Sequence, residues 1–183
     1  MINIPHCIQK TMPKFILYIA TTLDGYIASL DGSIEWLISF ETNGDNGYTK
    51  FYRTVDALIM GSTTYEQIVG FGDWVYSGKL TYVLTSRNLT SDRSDVVFIK
   101  GGIEAVLQAL QHKNYGRIWV VGGGKVASSF MAQELIDEFI LTVMPIILGK
   151  GISLYQSVPE QKLKLIGTTS YKSGAVELHY QKC

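Results

Sequence analysis

The stretch Arg117-Ile118-Trp119-Val120-Val121-Gly122-Gly123-Gly124-Lys125-Val126-Ala127-Ser128-Ser129-Phe130-Met131 decides how the chain is read. An apolar, β-branched run has the pattern of a buried strand. It stops at three glycines, and helical spacing follows at once. Glycines at such a junction let the backbone approach a ligand with no Cβ in the way. The first amides of the next helix face the same spot, with the positive end of the dipole behind them. Lys125 adds a mobile cation. Together these residues describe a cradle for a phosphate group.

Outward from this junction the same grammar repeats. Phe15 to Thr21 is a first strand, and Leu23-Asp24-Gly25-Tyr26 a turn. An irregular polar segment runs to about Asn46, and a short helix is expected over Tyr48 to Thr54. Ala57 to Met60 is a second strand, stopped by Gly61, and Thr63 to Val69 a helix that Ser62 or Thr63 is able to cap. Leu80 to Leu84 and Val96 to Ile99 are the third and fourth strands. In the helix over Ile103 to His112, Ile103, Val106, Leu107 and Leu110 share a face. Ile118 to Val121 is the fifth strand, Val126 to Gln133 the helix behind the glycines, and Phe139 to Met144 the sixth strand. The tail from Leu163 to Gln181 reads as a hairpin turning at Ser173-Gly174. Alternation of strand and helix followed by a hairpin predicts an α/β fold: a mixed, mostly parallel sheet of about eight strands, helices on both faces, and an antiparallel edge.

Composition narrows the class. The chain has 183 residues, 46% of them hydrophobic, enough for a sizeable core. Lys+Arg and Asp+Glu both number 16, and this zero balance argues against nucleic acid or an anionic membrane as the main partner. No apolar run approaches the ~20 residues of a membrane helix, and the start carries no apolar signal segment. Cys7 and Cys183 fit free thiols in a reducing compartment. A cytoplasmic protein is expected, with a flexible leader over residues 1–13, Met12 as the natural start, and one domain over 14–183.

Three strand ends carry the candidate chemistry. Gly122-x-Gly124-x-x-Ala127 matches the dinucleotide fingerprint in form. It follows the fifth strand rather than the first, and the next strand brings no acid for a ribose, so topology and acid both argue against a Rossmann unit. Val126 stands where a P-loop requires Ser or Thr. Gly61-Ser62-Thr63-Thr64 is a second glycine junction, and Thr85-Ser86-Arg87 offers two hydroxyls and a cation. Ligands of open α/β sheets bind at the carboxyl ends of strands. Three such ends suggest one phosphate-rich groove.

In this order, Thr22-Leu23-Asp24-Gly25-Tyr26-Ile27-Ala28, Asp56 to Glu66, Tyr82 to Arg87, Val121 to Lys125, Leu135 to Glu138 and Pro145 to Gly151 resemble the dihydrofolate reductase-like superfamily. The resemblance covers nearly all of residues 14–182. It is strongest to the bacterial branch related to the reductase domain of the bifunctional riboflavin-biosynthesis enzyme. It implies a three-layer dihydrofolate reductase-like fold, a homodimer, and an NADPH-dependent reductase acting on a pterin, folate or ribosylaminopyrimidine-type heterocycle. A non-catalytic NADP(H)-binding protein on the same fold is the alternative.

By position the resemblance places Ala20 and Ile27 at the nicotinamide. It places Gly61, Thr63 and Thr64 at the pyrophosphate and ribose, with Ser62 beside them. Thr85, Ser86 and Arg87 fall at the 2′-phosphate, and Gly122, Gly123, Gly124, Lys125 and Val126 along the pyrophosphate. It also implies a cis peptide at Gly122–Gly123. Two departures stand out. Gly61 is followed by Ser62 where the family commonly has a base, leaving Arg87 and Lys125 to compensate. Gly122 stands where the riboflavin reductases tend to have Glu. Counting back from Gly61 puts Asp45 at the position of the proton donor, with Glu35, Tyr48 and Tyr52 as rivals. Asp24, Trp36, Tyr48 and Tyr52 are the substrate-side candidates; Asp24 also suits a turn and Trp36 a loop anchor. Trp74 and Tyr76 suit the mouth of a pocket. Lys50 and Arg53 are the bases available to a phosphoribosyl tail.

Overall fold

The computed structural model describes residues 12–40 and 44–183. The leader expected over residues 1–13 lies, but for Met12 and Pro13, outside the described residues, as does Cys7.

The elements in chain order are β1 (Lys14–Thr22), β2 (Tyr26–Ala28), α1 (Glu35–Ile38), α2 (Tyr48–Tyr52), β3 (Ala57–Gly61), α3 (Ser62–Gly70), β4 (Leu80–Leu84), β5 (Val96–Ile99), α4 (Gly102–Leu110), β6 (Arg117–Gly122), α5 (Gly124–Ala132), β7 (Ile136–Met144), β8 (Ile152–Ser153), β9 (Leu163–Ser170) and β10 (Val176–Lys182). Eight strands form one sheet in the order β5-β4-β3-β6-β1-β7-β10-β9. From β5 to β7 all neighbours are parallel, and β10 runs antiparallel to both β7 and β9. The short β2 and β8 pair separately.

Parallel strands covered on both faces need apolar side chains on both, and the sequence supplies them. On one face Leu17, Ile59, Ile118 and Val120 pack against Val106 and Leu110 of α4 and Phe130 of α5. On the other, Ile16, Leu58, Met60 and Trp119 pack against Phe51 of α2 and Tyr65 and Ile68 of α3. Phe130 and Leu110 are almost wholly buried, and side chains of this kind each contribute about 1.5–3 kcal/mol on burial. No helix among the described residues is long and apolar enough to cross a membrane.

The structure extends several sequence expectations. β7 begins at Ile136, earlier than its apolar run suggests, because Glu138 continues the strand as a buried carboxylate. Arg117 reaches both of its oxygens at 3.1 Å, and Lys14 and His179 stand at 3.5 and 3.3 Å. Burial alone would push this carboxyl up. The charge and hydrogen bonds of Arg117, with Lys14 and His179 behind, outweigh burial and hold it below its ordinary value. α3 starts at Ser62 with Gly61 as its N-cap and no side-chain capping bond, so neither Ser62 nor Thr63 serves as the expected cap. The segment expected to be irregular contains both β2 and α1.

The topology sets the site. Met60 pairs with Gly122, Gly61 with Leu84, and Ala20 with Thr142. The carboxyl ends of β1, β3, β4, β6 and β7 therefore stop along one rim. Along it the chain order reverses around β1, the place where open sheets leave a crevice.

Candidate functional site

That rim opens into a cavity of about 1480 Å³, above the ~300–1,000 Å³ of ordinary small-molecule pockets. One end of it is built largely from backbone. α3 begins at Ser62 and α5 at Gly124, and both nine-residue helices point their N-termini at the cavity. The first bond inside α5 is Ala127 N–H to the Gly123 carbonyl at 3.0 Å, which leaves the amides of Gly124, Lys125 and Val126 without helical acceptors. Two positive helix ends then converge with the Lys125 ammonium and the hydroxyls of Ser62, Thr63, Thr85 and Ser86. Such a donor set suits a diphosphate.

Glycine is required here for different reasons at different positions. Gly122 has φ +118°, a conformation L side chains rarely adopt, and the Gly122–Gly123 peptide is cis. A Cβ on Gly124 would stand 2.9 Å from Gln156 Nε2 and 3.3 Å from Ile152 Cγ2. The amide of Gly123 donates to Thr64 Oγ1 at 2.8 Å, tying the α5 junction to α3.

The other end is walled by side chains. Tyr18 stacks on Phe51, with ring centroids 4.0 Å apart, and Trp119 meets both rings edge-on while donating its indole N–H to the Tyr18 carbonyl at 2.9 Å. Tyr18, Tyr48, Tyr76 and Trp119 line the cavity with Asp45 and Thr142. Burial pushes the Tyr18 phenol well up, with Glu177, Tyr171 and Asp45 adding to it. Burial likewise raises Tyr48, to about 12. Both phenols keep their protons at neutral pH, and the Tyr18 hydroxyl donates its own to the Asn46 carbonyl at 3.5 Å.

Comparison with known proteins follows the same lines. Residues 13–176 match the RibD C-terminal domain. The chain belongs to the RibD C-terminal domain family. It is 44% identical over 169 residues, 91% of this chain and 97% of the relative, to the Bacillus subtilis (strain 168) protein named "Uncharacterized protein YwjB". A crystal structure of a putative riboflavin biosynthesis protein from Shewanella sp. PV-4 superposes with a TM-score of 0.83 at 29% identity, covering 93% of this chain and 99% of that one. Enterococcus faecalis dihydrofolate reductase, solved with NADP(H) and RAB-propyl, shares the fold at a TM-score of 0.65 and 16% identity, covering 92% of this chain and 96% of that one. The fold is thus the reductase-type, dihydrofolate reductase-like one that the motifs suggested.

Within this RibD C-terminal domain fold, the cavity brings together Ala20, Ile27, Gly61, Ser62, Thr63, Thr64, Thr85, Ser86, Gly123, Gly124, Lys125 and Val126, with Asp45 and Tyr48 at the far end. Gly122 shapes the junction from behind. Arg87 stands apart from the cavity lining, its guanidinium on Glu66 at 2.7 Å. Asp24 is also off the wall. Its carboxylate accepts from Thr22 Oγ1 at 2.6 Å, Gly149 N at 2.7 Å and Leu148 N at 3.2 Å, pinning the turn after β1 to the loop after β7. The Thr22 hydroxyl foremost and these two amides hold Asp24 below the usual carboxylate range. Trp36 is buried against Met144 and Ala175 as the anchor of α1 rather than of a loop, and Tyr52 packs on Tyr48 and turns its hydroxyl to the Ser77 carbonyl at 3.4 Å.

Asp45 reaches the wall, yet its oxygens accept from Gly47 N at 3.1 Å and Thr49 N at 2.9 Å. Hydrogen bonds from Thr49, then Gly47, hold it below its ordinary pKa. Through these two amides it organises the start of α2. Tyr18, Trp119 and Thr142 escaped sequence reading because they sit inside apolar strand runs, where alternation alone does not say which face meets a cavity. Trp74, expected at the mouth, instead packs on Tyr65, while Tyr76 does line the cavity.

Proposed function

We propose that this protein is an NADPH-dependent reductase of the cytoplasm that delivers hydride to a nitrogen heterocycle of the pterin, folate or aminopyrimidine kind. The observation that carries the reading is the convergence of two glycine-led helix N-termini on one end of a cavity whose other end is aromatic. The residues fit the cofactor. The α3 and α5 amides with Lys125 would hold its pyrophosphate, Ser86 would flank the adenosine side, and Ala20 and Ile27 would border the nicotinamide. Bound there, NADPH supplies the hydride. The chain's own part is to orient the acceptor against that ring and exclude water. Tyr18, Trp119 and Tyr48 would form the face on which a flat heterocycle lies, and the Tyr18 hydroxyl would exchange its long bond to the Asn46 carbonyl for one to the ring.

Fluorescence titration with NADPH and, separately, NADH tests the reading: saturable NADPH binding is expected, and binding of neither nucleotide would sink it. The engaged, ionised Asp45 favours one second reading, a nucleotide-binding protein without turnover. Oxidation of NADPH with any member of a pterin and aminopyrimidine panel excludes that second reading. A homodimer goes with the first reading, supported by Leu165 and Ile166, which stand about half exposed on the edge strand β9. Sedimentation equilibrium checks it.

A further inference from the structure

The substrate end of the cavity holds a pair of hydrogen-bond donors that no described residue uses. Asp45 and Asn46 are neighbours in sequence, and both line the cavity. Asp45 brings acceptors only. Asn46 brings an amide, with one acceptor oxygen and two N–H donors. Its φ of +44° lies in the left-handed region, where asparagine is among the few side chains commonly found.

Distant segments fix how that amide sits. Ser173, in the turn between β9 and β10, donates its hydroxyl to Asn46 Oδ1 at 3.0 Å. The same hydroxyl oxygen accepts from Ala175 N at 3.3 Å, inside a turn closed by Tyr171 N to the Ala175 carbonyl at 2.9 Å. The Tyr18 phenol meets the Asn46 main-chain carbonyl at 3.5 Å. Gly47, the next residue, lies against Tyr171, whose hydroxyl would stand 2.5 Å from a Cβ there. With Oδ1 held by Ser173, the N–H arm of the amide points away from the hairpin turn. It has no partner among the described residues and is not sealed from solvent-accessible space.

Resting on the reductase reading above, we infer that Asn46 is a specificity-determining residue: its side-chain amide donates to a ring carbonyl of the substrate, and Ser173 positions it to do so. An acceptor at Asp45 beside a donor at Asn46 matches a lactam edge, in which N–H stands beside C=O. The amino form of the same edge carries a bare ring nitrogen beside C–NH2. It sets acceptor against acceptor at Asp45 and donor against donor at Asn46. A site built to hydrogen-bond one such pattern rejects the other, because its polar groups are left unpaired. The substrate class narrows accordingly to a pyrimidinone or pterin ring that keeps its carbonyl.

The test is calorimetry on the protein saturated with NADPH, using pterin and 2,4-diaminopteridine as matched probes that differ only at this edge. Pterin is expected to bind at least about tenfold more tightly, which corresponds to ~1.4 kcal/mol. Asn46→Gly removes the amide at a backbone conformation that glycine adopts freely, and should weaken pterin about tenfold while leaving 2,4-diaminopteridine within about twofold. Ser173→Ala should weaken pterin about threefold with the same selectivity, and Ser173→Thr, which keeps the hydroxyl, should restore it. Retained NADPH binding shows that each variant folds. Equal or tighter binding of 2,4-diaminopteridine, binding of neither ring, or an equal loss for both rings in Asn46→Gly overturns this inference and leaves the cofactor reading standing. A protein that binds no nicotinamide nucleotide overturns the reductase reading itself, and this inference with it.

Discussion

The phosphate end and the aromatic end of the cavity are made from different materials. At the first, backbone amides do the work, and the side chains that matter are mostly glycines, present because anything larger collides or strains. At the second, Tyr18, Trp119, Thr142 and Asp45 arrive from β1, β6, β7 and the approach to α2. A site of amides is set by local sequence and tolerates little change in backbone. A site of distant side chains depends on strand register and is free to change its preference one residue at a time.

The largest effect is expected where the backbone site is broken outright. Gly123→Val places a branched side chain where a Cβ alone would come within 3.1 Å of Thr64 Oγ1. NADPH affinity should fall by about 100-fold or more, equivalent to ~2.7 kcal/mol. Far-ultraviolet circular dichroism should stay unchanged, because the junction lies at the rim. Unaltered affinity would mean that the α5 N-terminus is not the phosphate cradle.

A comparable effect, on stability rather than binding, is expected at the amino ends of β6 and β7, opposite the cavity rim. Arg117→Met leaves the buried Glu138 carboxylate without its main partner and should cost about 2–3 kcal/mol in urea denaturation at pH 7. The pH dependence follows from the sign of the shift. Glu138 has a depressed folded pKa, so its pairing contributes fully above the unfolded carboxylate value of ~4.3 and is lost as pH falls through the lower folded value. In Arg117→Met the carboxyl is expected to take up its proton at higher pH, so the variant's deficit should shrink on acidification. A deficit that does not change between pH 7 and pH 4 would show that the pair is not the source of stability.

A smaller change sharpens the aromatic end. Tyr18→Phe keeps the stack on Phe51 and removes the hydroxyl. kcat/KM for a turned-over heterocycle should fall about tenfold, one hydrogen bond's worth, with NADPH affinity unchanged. A parallel loss of cofactor affinity would place Tyr18 at the wrong end.

The smallest effects are expected at Arg87. Its partner Glu66 shares an exposed ion pair, and such pairs contribute little. Arg87→Ala should weaken NADPH about threefold while leaving NADH nearly unchanged, and Glu66→Gln should strengthen NADPH by a similar factor. Equal responses of the two nucleotides to Arg87→Ala would remove the guanidinium from 2′-phosphate recognition.

Much of this was legible beforehand because it is local. Apolar runs ended by glycine announced β3 and β6, Leu80–Leu84 and Val96–Ile99 emerged with the expected bounds, and the spacing of Ile103, Val106 and Leu110 announced α4. The elements that escaped are those with weak local signals. β2 and β8 are three and two residues long and exist because they pair with each other. α1 has four residues, too few to show a period. Asp24 and Arg87 were assigned to the site by position. Their actual partners, the Leu148 and Gly149 amides and Glu66, lie 124, 125 and 21 residues away along the chain.

By itself the sequence determined the alternation of strands and helices, the parallel core, the antiparallel tail, and the glycine junctions that lead from β3 into α3 and from β6 into α5. Those properties follow from side-chain period and from backbone freedom, which act over a few residues. The tertiary structure alone decided the strand order that sets β1 between β6 and β7, the ion pairing that consumes Arg87, and the contact that brings Ser173 of the hairpin to Asn46. Each of these is a pairing between distant segments, chosen by which faces fit together when the whole sheet closes over its core.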